Sequence, residues 1–399
     1  MKQHILIIGA GFGGVWSALG AARLLDKNDR HDVQISVLAP RPELRIRPRF
    51  YEAQVHTMQA PLSPLFAAVG VNFIEGTADS IDENARQVTY RDLAGNATNV
   101  QYDRLVLAAG SRLNRPPMEG IEHVFDVDQI EDATRLEAHI HALKSLPDSP
   151  ARNTVVVAGG GFTGIETATE MPARLREALG DTANIRVVVV DRGPQIAASM
   201  GDGIRPSIIE ASKELGIEWI LNTSVASVDT GGVTLADGQR IESSTVIWTI
   251  GFRANPLTEQ VSGTRDPQGR LHVDGTLKVK GQTDVFAAGD VAYAATDDLG
   301  NVAAMSCQHA IALGRYAGHN VAADLIGVAP MTYSQPKYVT CLDLGAWGAV
   351  YTEGWDRQLK LVGQEAKDLK HQINSVWIYP PAAERAAALA AADPLIPVA

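Results

Sequence analysis

Short apolar runs closed by glycine recur along this chain. The stretches "HILIIGA" (4–10), "VQISVLA" (33–39), "TVVVAG" (154–159) and "IRVVVVD" (185–191) are continuous and rich in β-branched residues. A continuous run, unlike an alternating one, predicts parallel strands covered on both faces by helices. Those helices are visible between the runs: an Ala-rich apolar stretch from Val15 to Leu25, and another starting at Phe162. Strand, turn, helix and strand therefore occur twice. "YDRLVLAAGS" (102–111), "VIWTIGFRAN" (246–255) and "TDVFAAGDVA" (283–292) are further apolar runs that end in Gly turns, and "YVTCLDLGAWGAVY" (338–351) has the alternation and aromatics of β-strands.

The turns explain the repetition. Gly9, Gly11 and Gly14 have the G-x-G-x-x-G spacing, and Gly159, Gly161 and Gly164 repeat it. The first glycine of such a set allows the tight turn, the second lets the backbone approach a pyrophosphate, and the third lets the helix pack on its strand. Two copies in full strand–turn–helix–strand context predict an α/β protein with two Rossmann-like dinucleotide-binding domains. The copies differ at the end of the second strand, where an acid normally holds the adenosine ribose. The second unit has Asp191 there, while the first has Ala39. Asp191 repels a 2′-phosphate and so favours NADH over NADPH, with the adjacent Arg192 moderating the preference.

Composition narrows the class. At 399 residues, with 45% hydrophobic and 20% charged residues, the chain has room for two or three domains and a sizeable core. A net charge of −11 argues against general nucleic-acid binding and against strong docking on anionic lipid. Cys307 and Cys341 are the only cysteines and form no C-x-x-C, zinc or disulfide pattern, so a reducing cytoplasm fits. No metal site is expected. The N-terminal apolar run is broken by its Gly turn, against a signal peptide, and no run of 18 apolar residues predicts a membrane span.

Together, the two Gly turns, "YDRLVLAAGS", "VIWTIGFRAN" and "TDVFAAGDVA" resemble the FAD-dependent pyridine-nucleotide oxidoreductases, from residue 1 to about 325 and in the family's order. The resemblance implies FAD on the first unit and NADH on the second, with the NAD domain inserted in the FAD domain. It implies an FAD domain at 1–113 and 266–326, an NAD domain at 114–265 and a C-terminal domain at 327–399. FAD would contact Gly9, Gly11, Phe12, Gly13 and Gly14, with Ala78 at the adenine, Ala109 and Gly110 along the site, and Gly289 and Asp290 at the ribityl chain. NADH would contact Gly159, Gly161, Phe162, Thr163, Gly164, Asp191 and Gly251. FAD is expected despite Ala39, although one lost charged hydrogen-bonding partner costs about 1.5–3 kcal/mol.

The disulfide reductases of that superfamily carry a C-x4-C pair after the first unit, where this chain has "PRPELRIRPRFYEA" without cysteine. "MSCQHAIALG" (305–314) resembles the "TAQ-x-A" segment of type II NADH dehydrogenases, and "GGGFTGIETATE" resembles their "GGGPTGVELAGE". That resemblance implies Gln308 beside the flavin at a quinone site and Glu166 at the nicotinamide–flavin contact. Two plainer readings stand beside these: Glu166 as a first-turn carboxylate facing the helix dipole, and Gln308 as a core amide bonded to backbone. Of Arg45, Arg47 and Arg49, one is expected at the flavin, Arg47 being chosen, with solvated arginines as the alternative. Cys307 reads as a packing residue, and His139 and His141 as surface histidines.

The expected function is thus an FAD-containing oxidoreductase passing hydride from NADH to flavin and then two electrons to a quinone-like acceptor. The alternatives are a reductase of the ferredoxin or rubredoxin type, and an NADH-responsive binding protein similar to apoptosis-inducing factor. The tail "QINSVWIYPPAAERAAALAAADPLIPVA" lacks the basic, aromatic amphipathic anchor of type II dehydrogenases. A cytoplasmic protein is expected, with at most weak peripheral contact at the inner face of the membrane. The C-terminal part is expected to pack over the flavin and to offer a homodimer contact.

Overall fold

A computed structural model describes residues 2–398. β1 (Gln3–Ile8) runs into α1 (Phe12–Lys27) and returns as β2 (Val33–Ala39), with β3 (Asn72–Glu75) and β4 (Arg104–Leu107) following. The second unit is built from β5 (Thr154–Ala158), α2 (Phe162–Leu179), β6 (Arg186–Val190), β7 (Ile217–Ile220) and β8 (Thr245–Trp248). The chain then returns through β9 (Val285–Ala287) and α3 (Cys307–Ile326). It closes with β10 (Val339–Asp343), β11 (Ala349–Glu353), β12 (Gln358–Gly363), α4 (Gln364–Gln372) and α5 (Arg385–Ala391).

Both central sheets are parallel, as the continuous apolar runs predict. The first has the order β9-β4-β1-β2-β3, the second β7-β6-β5-β8. Because β9 pairs with β4 after the whole second unit has passed, that unit is an insertion in the first. In each sheet the Gly turn follows the strand flanked on both sides, β1 or β5. Neighbouring crossovers leave in opposite directions there, which opens a crevice at the strand's carboxyl end. The antiparallel sheet β10-β11-β12 is the third part.

The core of the first unit depends on backbone contact between α1 and α3. A Cβ on Gly20 would lie 2.6 Å from the Arg315 carbonyl oxygen, one on Gly314 2.6 Å from that of Gly13, and one on Gly318 2.0 Å from that of Ser17. Only glycine permits this approach, which fixes α3's N-terminus beside the first Gly turn.

One expectation needs adjustment. His141 is exposed, but His139 is half-buried: its Nε2 sits 2.9 Å from Thr245 Oγ1 and its ring stacks on Phe125 at 4.4 Å. In the tail, a π-helical turn (Ile373–Trp377) precedes Pro380–Pro381, and α5 follows them, with Ala388 and Ala392 fully buried. Among the described residues no helix is long and apolar enough to cross a membrane.

Gly318→Ala should lower stability by about 3 kcal/mol, because the new methyl meets backbone rather than a side chain that can swing away. Urea denaturation followed by circular dichroism would read it, and an unchanged midpoint would contradict the packing described.

Candidate active site

The two Gly turns share one geometry. Gly9 has φ +110° and Gly159 φ +109°. A Cβ on Gly14 would lie 1.9 Å from the Gly9 carbonyl oxygen, and one on Gly164 1.9 Å from that of Gly159. Gly11 and Gly161 are extended, and a Cβ there would meet nothing within 4 Å. Neither α1 nor α2 has a side-chain N-cap, so no capping side chain takes the amides of either first turn. Backbone donors at a helix N-terminus, approached without side-chain obstruction, fit a pyrophosphate. Phe12, Gly13, Phe162 and Thr163 form these first turns.

The strand ends differ as the sequence indicates. Asp191 accepts from the Gly160 N–H (2.7 Å) and the Gly193 N–H (2.6 Å), which fixes its carboxylate beside the second turn. Ala39 is buried and pairs with Glu75, and its carbonyl accepts from the Gly76 N–H at 2.9 Å. Ala78, two residues further on, lies in the strand Thr77–Asp82 of a separate antiparallel sheet, opposite Tyr90.

Around the first turn the structure gathers several of the expected contacts. A Cβ on Gly13 would lie 3.2 Å from the Ala288 carbonyl, so the Gly289–Asp290 turn stacks on the start of α1. Ser111 Oγ donates to Asp290 at 2.6 Å and accepts from Arg47 Nη1 at 2.8 Å. Arg47 also pairs with Asp128 and lies 4.8 Å over the Phe252 ring. Arg45 pairs instead with Glu43 and Glu131, and Arg49 with Glu52. Of the three arginines only Arg47 reaches the Gly-Asp turn. Ala109 and Gly110 are tied to Asn255, and the Gly251 carbonyl accepts from the Asn114 N–H at 3.0 Å.

Glu166 is neither a first-turn nor a surface carboxylate. It is 4% exposed, accepts from Lys370 Nζ (2.7 Å) and receives the Asp343 N–H (3.1 Å). Lys370, on α4, also donates to the Cys341 carbonyl (2.9 Å), and its Nζ lies 5.7 Å from the Phe162 ring centroid and 5.9 Å from that of Tyr51. The pair therefore joins α2 of the second unit, the Tyr51 loop of the first and the C-terminal sheet. Asp343 accepts from Tyr51 Oη (3.1 Å) and Lys367 Nζ (2.5 Å).

Burial pushes the Glu166 carboxyl up to about 7, with the Lys370 ammonium opposing the rise and Asp343 adding to it. Burial acts in the opposite sense on Lys370, but Glu166, Cys341 and Asp343 together outweigh it and hold the ammonium above its ordinary range. An ammonium bonded to two acceptors keeps its proton, so the proton that enters or leaves near neutral pH belongs to Glu166. Sequence reasoning found Glu166 and missed Lys370, Asp343 and Tyr51. Asp343 left a trace, being the one acid in the apolar "TCLDLG". Lys370 left none, since "QEAKDLKHQ" reads as a solvated helix.

Gln308 sits in the first turn of α3. Its Oε1 is buried without a partner, and its Nε2 lies 3.5 Å from the Val398 carbonyl oxygen. No contact joins it to Glu166, although its neighbour Cys307 feels the Lys370 charge. Burial pushes the thiols of Cys307 and Cys341 up to about 11 each, so neither is a ready thiolate.

Two nucleotide cradles flanking a buried proton-holding carboxylate define an NAD(P)H-dependent flavin oxidoreductase. The chain belongs to the pyridine nucleotide-disulphide oxidoreductase family, whose model matches residues 3–314. It is 44% identical over 399 residues to a NADH dehydrogenase-like protein of Mycobacterium tuberculosis, covering 98% of both chains. A type II NADH:quinone oxidoreductase of the same organism is 28% identical over 360 residues, covering 82% of this chain and 74% of that one. The NDH2 of Plasmodium falciparum, solved in complex with NADH, has the same fold, with a TM-score of 0.78 at 15% identity over 98% of this chain and 97% of that one.

Lys370→Met should cost about 3 kcal/mol at pH 8, where Glu166 without its partner must either carry a buried unpaired charge or take up a proton. The folded pKa of Glu166 lies above its unfolded value, so its ionisation removes stability as pH rises toward about 7. Without the ammonium the carboxyl rises further and the loss continues above 7. The variant's deficit should therefore be smaller at pH 6 than at pH 8 in urea titrations; a pH-independent deficit would contradict the pairing.

Proposed function

We propose that the chain uses NADH, bound on the second cradle, to reduce FAD held on the first, and delivers two electrons to a quinone beside Gln308. We assign the FAD domain to 1–113 and 266–326, the NAD domain to 114–265 and the remainder to the acceptor side. The observation that carries this reading is the buried Glu166–Lys370 pair, because it joins all three parts. The relatives' NADH and quinone chemistry supports the acceptor class. Asp191, oriented by two amides, supports NADH over NADPH.

The bound flavin would supply the two-electron chemistry; distance, orientation and protons are the protein's share. Reduction of a quinone by NADH consumes one further proton: NADH, H⁺ and quinone give NAD⁺ and quinol. Glu166, with a pKa of about 7, is the buried group suited to hold that proton at Oε1 or Oε2, and Lys370 fixes the carboxylate's position. Gln308 offers an Nε2–H to an acceptor carbonyl and a free Oε1 to a quinol hydroxyl. Arg47 orders Ser111 and the Asp290 turn.

An anaerobic absorption titration of the purified protein tests the reading. One equivalent of NADH should bleach a bound flavin, NADPH should do so less readily, and a quinone should restore the colour. A protein that takes up no FAD would overturn the first-unit assignment.

Glu166→Gln should lower quinone reduction about 100-fold and flatten its pH profile. The unmodified enzyme should slow as pH rises through about 7, where Glu166 loses its proton. A variant that keeps the same inflection would rule Glu166 out as its source.

A further inference from the structure

The segment 393–398 lies along α3 and reaches Gln308. Arg23 pairs with Asp393, Arg315 Nη1 donates to the Ile396 carbonyl (3.1 Å), and Gln308 Nε2 stands 3.5 Å from the Val398 carbonyl. Arg315 and Gln308 are about 10 Å apart along the helix, two turns. The segment therefore crosses the first two turns of α3 toward its N-terminus, over the Arg315 guanidinium and the Trp16 ring stacked 4.3 Å beneath it.

This covering is poorly bonded. Leu395 and Ile396 remain 69% and 42% exposed, while Pro394 and Val398 turn inward. Beneath it, Gln308 Oε1, Arg315 Nε and Trp16 Nε1 are all buried without partners. A permanent element would satisfy such groups or bury its own Leu and Ile. What it does supply is a carbonyl oxygen 3.5 Å in front of the Gln308 amide nitrogen, the group on which the acceptor reading relies.

We propose that residues 394–398 are an acceptor-gating strap, in which the Val398 carbonyl stands where a quinone carbonyl would approach the Gln308 amide. This rests on the reading of Gln308 as the acceptor site. The strap competes with the quinone, and it competes with neither NADH nor a small outer-sphere oxidant. On displacement, Gln308 exchanges one carbonyl partner for another, and its unpartnered Oε1 gains the quinol hydroxyl. Asp393 is the hinge, since it holds Arg23 and also accepts from the Leu395 N–H at 3.1 Å.

The test compares the FAD-loaded full chain, a chain shortened to end at Asp393, and the point variant Asp393→Ala, each with NADH and either menadione or ferricyanide. The shortened chain should show a KM for menadione lower by roughly tenfold, the worth of one displaced hydrogen bond. Its KM for NADH and its ferricyanide rate should stay unchanged, and Asp393→Ala should move the same way by a smaller factor. If the shortened chain does not fold, Asp393→Ala and amide exchange on the full chain decide: menadione should accelerate exchange at Leu395, Ile396 and Val398. Equal menadione KM in all forms, or tail exchange indifferent to menadione, overturns the strap and leaves the acceptor reading intact. Ferricyanide turnover without menadione reduction by any form overturns the acceptor reading, and the strap with it.

Discussion

The fold converges on one buried ion pair. Glu166 and Lys370 lie 204 positions apart and meet at 2.7 Å where the first unit, the second unit and the C-terminal sheet touch. Burying both charges carries a desolvation penalty that their attraction offsets only with good geometry and further hydrogen bonds. The further bonds are present: the Asp343 amide on the carboxylate, and the Cys341 carbonyl on the ammonium. Apolar residues would hold the three parts together at lower cost. A charged pair there is therefore better explained by its chemistry than by its contribution to stability, since the carboxyl it contains exchanges its proton near neutral pH.

The paired cradles impose a second constraint, because they work through the absence of side chains. Gly14 and Gly164 bring each helix onto its strand, while Gly11 and Gly161 keep the phosphate approach clear. Gly20, Gly314 and Gly318 extend the same logic to the α1–α3 contact, and through it the N-terminus of α3, with Gln308, is held beside the first cradle. The two turns share their φ and their close glycine approach, and what separates them is Asp191 against Ala39. In the proposed reading Asp191 is the ribose partner of the second cradle, and the first relies on burial and on contacts such as the Gly289–Asp290 turn.

Much of this was legible in the sequence because the relevant signals are local. A Gly spacing, a continuous β-branched run and a strand-end acid each sit within a few residues, and Gly9 to Gly14, Gly159 to Gly164 and Asp191 fall where those patterns put them. The partners supplied from a distance were not legible. Lys370 lies on a short charged helix, and nothing in its neighbours distinguishes it from Lys367, which is 32% exposed at its side chain. The choice of Arg47 over Arg45 and Arg49 depends on Ser111, Asp128 and Asp290, contributed from 64 to 243 positions away. His139 misled for the same reason, its burial coming from Phe125 and from Thr245 on another strand.

The two cysteines bear on how electrons leave the site. The family's name contains a disulphide, and a thiol route would need a reactive thiolate close to a second sulfur. Cys307 and Cys341 are both free, and burial raises each to about 11 although the Lys370 ammonium pulls both down. Cys341 spends its S–H on the Ala366 carbonyl of α4 at 3.6 Å, and Cys307 packs at the start of α3. The cation that pulls both thiols down, Lys370, is already committed to Glu166. The position that would favour thiolate chemistry has instead been given to a carboxylate, which suits an acceptor that needs a proton with its electrons.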